Sequence, residues 1–100
     1  MIILYVLEGC PYCNNSLAIL KQYKIKHKAI IVNYEEKEFY KKQNKMNTFP
    51  QIFMQMNENI FMKIGGNSDL IELIDKCQNI KDSNVSIDSI YYMYNMLYSK

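Results

Sequence analysis

Two apolar runs, Ile2-Ile3-Leu4-Tyr5-Val6-Leu7 and Ala29-Ile30-Ile31-Val32, stand on either side of a stretch long enough for one helix. Strand, helix and strand in that order form a crossover unit whose two strands must be parallel, so the chain is directed to the α/β class from its first third. Gly9 frees the backbone for a sharp turn after the first strand, and the spacing predicts a helix over 11–24 with Leu17, Leu20 and Tyr23 facing inward. The second run reads as a second buried strand, residues 29–32. A charged helix is expected over 35–45, held by Phe39 and Met46, and Thr48-Phe49-Pro50 ends it. Gln51 to Met56 and Ile60 to Ile64 then read as a hairpin across Asn57-Glu58-Asn59. Gly65-Gly66 closes that hairpin, and a helix begins at Asn67 or Ser68 with Asp69 in its first turn, where an acidic side chain suits the positive end. Its Leu70, Leu73, Ile74 and Cys77 share one face. A polar connector from Asn79 to Asn84 leads to a last helix, capped by Ser86 and striped with Ile87, Ile90, Tyr91, Tyr94 and Tyr98.

With 100 residues, 49% of them hydrophobic, the chain suffices for one core and no second domain. The division expected is a domain over 1–78 and, over 79–100, a connector and an amphipathic helix packed on that same domain. A net charge of +2, with lysines interleaved among Glu and Asp, is far from the basic footprint of a nucleic-acid binder. The lysine groups at 21–28 and 37–45 read as solvated faces. The opening apolar run has no basic residues before it, is too short to span a bilayer and stops at Glu8, so it reads as a strand and not as a signal peptide or anchor. The expectation is therefore a cytoplasmic monomer without a membrane partner. In that reducing compartment a close cysteine pair is catalytic or metal-binding more often than structural.

That pair is Cys10-Pro11-Tyr12-Cys13, set where a strand ends and a helix begins. Pro11 suits the first helical position, because its missing N–H would have no helical acceptor there and its φ is already helical. Cys10 then becomes the N-cap, its sulfur facing free N–H groups and the positive end of the helix, an environment that favours a thiolate. Cys13 lies one turn along the same face, within reach of a disulfide. The bland alternative for such a pair is half of a zinc site. Zinc would need two more ligands, and only Cys77 and His27 remain, each alone and without the paired spacing of a zinc finger, so no metal is expected. Cys77 reads as a core residue, with a regulatory thiol as its alternative. The tyrosine and methionine stripe after Ser86 covers either the domain's own core or a partner.

Cys10-Pro11-Tyr12-Cys13, Thr48-Phe49-Pro50-Gln51-Ile52-Phe53 and Ile64-Gly65-Gly66-Asn67-Ser68-Asp69-Leu70 resemble, in order and spacing, the three signature segments of dithiol glutaredoxins, over about residues 1–78. The resemblance implies a thioredoxin-like fold: a four-stranded mixed sheet flanked by helices, here with an extra C-terminal helix. It implies that Cys10 attacks and Cys13 resolves. It also implies that Pro50 is cis beside Cys10 and that Phe49 pairs its backbone with the cysteinyl part of glutathione. The charged γ-glutamyl end of glutathione falls to Gly66, Asn67, Ser68 and Asp69, where an open helix end takes a carboxylate and Asp69 an ammonium. Tyr12, between the cysteines, joins the same binding set.

One departure stands out. The family usually has Lys or Arg three residues before the first cysteine, and this chain has Leu7 followed by Glu8. A compensating cation for the glycine carboxylate of glutathione is expected from Lys37. Glutathione enters as cosubstrate, no cofactor is bound, and the substrates implied are protein disulfides, with ribonucleotide reductase or a similar disulfide-generating enzyme as the family-level example. Two rivals remain: an iron–sulfur scaffold ligated by Cys10 and glutathione from two chains, which Pro11 disfavours, and a reductant served by a flavoenzyme, which the Gly65 to Asp69 segment disfavours.

Overall fold

The computed structural model describes residues 1–78 and Ile90. The connector and the last helix expected after Ser86 otherwise lie outside the described residues. The element order is β1 (Ile2–Leu7), α1 (Pro11–Gln22), β2 (His27–Val32), a 3-10 turn (Tyr34–Glu36), α2 (Lys37–Asn44), β3 (Gln51–Asn57), β4 (Ile60–Gly65) and α3 (Asn67–Gln78). The four strands form one sheet in the order β2-β1-β3-β4. β1 pairs with β2 in parallel, Ile2 opposite His27, and with β3 antiparallel, Ile2 opposite Met54. β3 and β4 form the antiparallel hairpin. This is the mixed, thioredoxin-like arrangement expected from the sequence.

The alternation of β1 sends Ile2, Leu4 and Val6 into a core shared with Leu20 of α1, Ile52 and Met54 of β3, and Leu70, Leu73, Ile74 and Cys77 of α3. Each large aliphatic side chain fully withdrawn from water there is worth roughly 1.5–3 kcal/mol. α1 and α3 pack against each other, and α3 also touches β3 and β4. Tyr5, on the other face of β1, meets Tyr40 of α2 with ring centroids 5.2 Å apart. Helices thus cover both faces, and Ile90 is fully buried in the same core. Among the described residues no helix is long and apolar enough to cross a membrane.

Several expected boundaries and faces are corrected. α1 stops at Gln22, because Lys24 turns left-handed (φ 55) and the Ile25 N–H bonds the Leu20 carbonyl. β2 starts earlier, at His27, and is not a buried strand. It lies at the sheet edge, where only Val32 is buried and Ile31 is 69% exposed. The charged helix begins as a 3-10 turn and ends at Asn44, with Lys45 left-handed (φ 54). Phe39 is exposed and does not anchor it; its neighbour Tyr40 faces the sheet, its ring tilted 37° against that of Tyr5. β3 runs through Asn57, whose Oδ1 accepts the N–H groups of Asn59 and Ile60, so the turn is tighter than expected.

Candidate active site

β1 ends at Leu7, and Gly9, at φ 76, makes the turn that a side chain would strain. Cys10 follows in extended backbone (φ −85, ψ 114) as the N-cap of α1, with Pro11 in the first turn. Its Sγ accepts the Cys13 backbone N–H at 3.2 Å, so an orphan donor of the helix is spent on sulfur. No acidic residue occupies the first turn to oppose a negative charge there.

The two thiols, both free, are unequal. Cys10 is partly exposed, whereas Cys13 is 1% exposed. Burial, followed by the hydrogen bond with Cys10, pushes the Cys13 thiol up to about 12. A thiol held neutral and out of contact with solvent cannot open an attack. The geometry therefore suits Cys10 for first contact and Cys13 for a later one.

Phe49 and Pro50, buried between α2 and β3, are joined by a cis peptide. The Phe49 carbonyl lies 3.8 Å from Cys10 Sγ and accepts from it. Beside this contact a groove of about 470 Å³ is walled by Tyr12, Met46, Thr48 and Phe49 on one side and by the run Gly66 to Asp69 on the other. Pro50 lies beneath the wall, its carbonyl close to Gly66. Tyr12 is 65% exposed at the rim. Asp69 Oδ2 accepts the Gly66 N–H at 2.8 Å, tying down the entry to α3. A Cβ on Gly65, already at φ 128, would overlap that carboxylate. Asn67 turns its side chain toward α1, where its Oδ1 accepts from Ser16 Oγ at 2.7 Å and from Asn15 Nδ2 at 3.1 Å. Ser68 is exposed at the groove.

Of the residues named from sequence, Cys10, Cys13, Tyr12, Phe49, Pro50, Gly66, Asn67, Ser68 and Asp69 come together here. Lys37 does not line the groove; its ammonium stands 4.9 Å above the Tyr34 ring. Two buried polar residues escaped the sequence reading. Ser16, one turn after Cys13, links the cysteine helix to α3, and Gln51, next to Pro50, accepts from Asn44 Nδ2 at 2.7 Å and donates to the Met46 carbonyl at 3.3 Å. The i+3 spacing of Ser16 from Cys13 and a glutamine opening an apolar strand were the available signals. Among the described residues no group of three or more His, Cys, Asp or Glu is placed to hold a metal ion.

The family model for glutaredoxin matches residues 2–58. Glutaredoxin 1 of Rickettsia typhi is 41% identical over 76 residues, covering 72% of this chain and 68% of that protein. The solution structure of glutaredoxin from Brucella melitensis superposes with a TM-score of 0.60 at 30% identity, over 77% of this chain and 80% of that one. Wheat glutaredoxin shares the fold with a TM-score of 0.63 at 18% identity, over 92% and 82% of the two chains. A cysteine pair at a helix N-terminus on this sheet, with those relatives, places the chain in the glutaredoxin family, the thiol–disulfide oxidoreductases of the thioredoxin-like superfamily.

Proposed function

We propose that the chain uses glutathione to reduce glutathione mixed disulfides and protein disulfides, with Cys10 attacking and Cys13 resolving. The observation that carries this reading is the position of the Cys10 sulfur. It caps α1, is partly exposed, and adjoins both the Phe49 carbonyl and a groove of tripeptide size. The Cys10 thiolate attacks one sulfur of the substrate disulfide; a new S–S bond forms as the old one breaks, and the leaving sulfur takes a proton. With a protein disulfide, Cys13 displaces the reduced product and Cys10–Cys13 becomes the disulfide. Two glutathione molecules restore the dithiol and leave as glutathione disulfide.

In the groove the cysteinyl backbone of glutathione pairs with Phe49, while the exposed side of the α3 N-terminus at Asn67 and Ser68 takes its γ-glutamyl carboxylate. Asp69 Oδ1 accepts no hydrogen bond among the described residues and faces the ammonium. Tyr12 covers the outer side. Glutathione is a cosubstrate and no resident cofactor takes part. The protein substrates are disulfide-generating enzymes such as ribonucleotide reductase, met by a monomer in the cytoplasm.

Cys10→Ser is expected to abolish glutathione-dependent reduction, whereas Cys13→Ser keeps turnover of small glutathione mixed disulfides and loses most turnover of protein disulfides. Steady-state rates in an NADPH-coupled assay, with and without glutathione, measure both. Equal loss in the two variants on a small mixed disulfide overturns the roles, and full activity without glutathione overturns the cosubstrate.

A further inference from the structure

A second cavity, of about 340 Å³, opens beside the turn that precedes Cys10 and shares no lining residue with the groove. The sheet order puts the two on opposite flanks: the groove lies toward β3 and β4, whereas this cavity lies between the end of β1 and the edge strand β2. Leu7, Glu8 and Gly9, the turn that delivers Cys10, form one wall, and the end of β2 with Tyr34 forms the other. Leu7, Ile31, Val32 and Tyr34 supply the apolar part of the walls, with Ile31 69% and Tyr34 77% exposed, and Asn33 adds a neutral polar side chain. Glu8 is the one charged side chain of the lining, an exposed carboxylate two residues before the attacking sulfur. No ion pair or hydrogen bond engages its side chain among the described residues, and no lysine lines the cavity. Tyr34 already holds one cation, the Lys37 ammonium above its ring.

A hollow with aliphatic and aromatic sides and a single carboxylate at its mouth is complementary to an amphipathic cation. A lysine or arginine lays its methylene stem on such sides and keeps its head at the acid. The same carboxylate repels an acidic segment approaching Cys10. Resting on the reading that glutathione occupies the groove, we propose that this cavity docks the protein half of a glutathionylated substrate and selects a segment carrying a lysine or arginine beside the modified cysteine. With glutathione on one flank and the polypeptide on the other, the disulfide between them is held over Cys10. The Cys10 thiolate then forms a bond to the glutathione sulfur, the glutathione–protein bond breaks, and the protein thiolate leaves and takes a proton. A second glutathione regenerates Cys10 and departs as glutathione disulfide, so no other oxidant or reductant is required.

The test uses two peptides that differ only in the residue next to a glutathionylated cysteine, arginine in one and glutamate in the other. The readout is kcat/KM for release of the peptide thiol by the full chain. Each value is divided by the rate of the same peptide with glutathione alone, which removes the intrinsic leaving-group difference. The wild type is expected to favour the arginine peptide by about 5-fold at low ionic strength, the scale of exposed charge pairs, and by less as salt is added. Glu8→Gln is expected to bring the ratio close to one, and Glu8→Lys to invert it. A change in the reactivity of Cys10 itself would scale both peptides together and leave the ratio in place. Equal wild-type rates, or a ratio unmoved in Glu8→Lys, overturn the docking site while leaving the groove reading intact. If neither peptide is turned over above its background, the groove reading falls and the docking site with it.

Discussion

A hydroxyl sealed from water must find its partner inside the protein, and Ser16 finds its own on another helix. The bond from its Oγ to Asn67 Oδ1 joins the element that carries the cysteines to the element that closes the groove. Ser16→Ala is expected to cost about 1 kcal/mol. A thermal melt of a domain this size should then show a midpoint lower by about 4–8 °C. On the proposed use of glutathione, a rise in its KM is expected with it, because Asn67 then keeps only its exposed bond from Asn15 and is held less firmly. Cys13 supplies a second residue-scale prediction. Its folded-state value of about 12 lies above the ordinary 9.0. Below about 9 the thiol is protonated whether the chain is folded or not, and pH has no effect through it. Between about 9 and 12 the unfolded chain gives up the proton and the folded chain keeps it, so stability falls as pH rises. Tyr5, raised from 10.0 by burial and then by Tyr40, acts in the same sense at higher pH. Urea midpoints of the reduced protein at neutral pH and at about pH 10 should fall further for the wild type than for Cys13→Ser.

At the scale of elements, a side chain's worth depends on where the sheet puts its strand. Leu4 is fully buried in a central strand, and Ile31 stands exposed on an edge. Leu4→Ala is therefore expected to cost about 2–5 kcal/mol. Ile31→Thr, which keeps the β-branch, should stay within about 0.5 kcal/mol, both by chemical denaturation. The run Ala29-Ile30-Ile31-Val32 reads as apolar as the opening strand, because composition records hydrophobicity and not neighbours. Strand order alone distinguishes edge from centre, and no local pattern encodes it. The same limit explains why the sequence points to Phe39 whereas its aromatic neighbour Tyr40 is the one that meets the sheet. By contrast, α3 was fully legible, since Leu70, Leu73, Ile74 and Cys77 repeat at the helical period and all four are buried. The cysteine site was legible where its chemistry is local: Gly9, Cys10, Pro11 and Cys13 form one turn whose capping follows from residue type. Ser16 and Gln51 were not, because what makes them structural is a partner or a loop brought close by folding.

For the whole molecule the core is a single object that reaches beyond α3. Ile90 is fully buried in it, together with residues of β1, β3 and both flanking helices. Ile90→Ala is expected to lower stability by about 2–5 kcal/mol in denaturant titrations. Turnover of a small mixed disulfide should be unaltered, since Ile90 lines neither cavity beside Cys10. The central position of β1 carries a further consequence. Its partners, His27 to Val32 on one side and Gln51 to Met54 on the other, are all distant in sequence, while β3 and β4 close on each other across a tight turn. Local pairings form at less entropic cost than remote ones. On the ribosome β1, Cys10 and Cys13 emerge before β3 and β4, so the Phe49 carbonyl and the Gly66 to Asp69 wall are made later. A growing chain thus displays two bare thiols before the groove beside them exists, and the oxidoreductase comes into being only when the youngest part of the sheet returns to enclose the oldest.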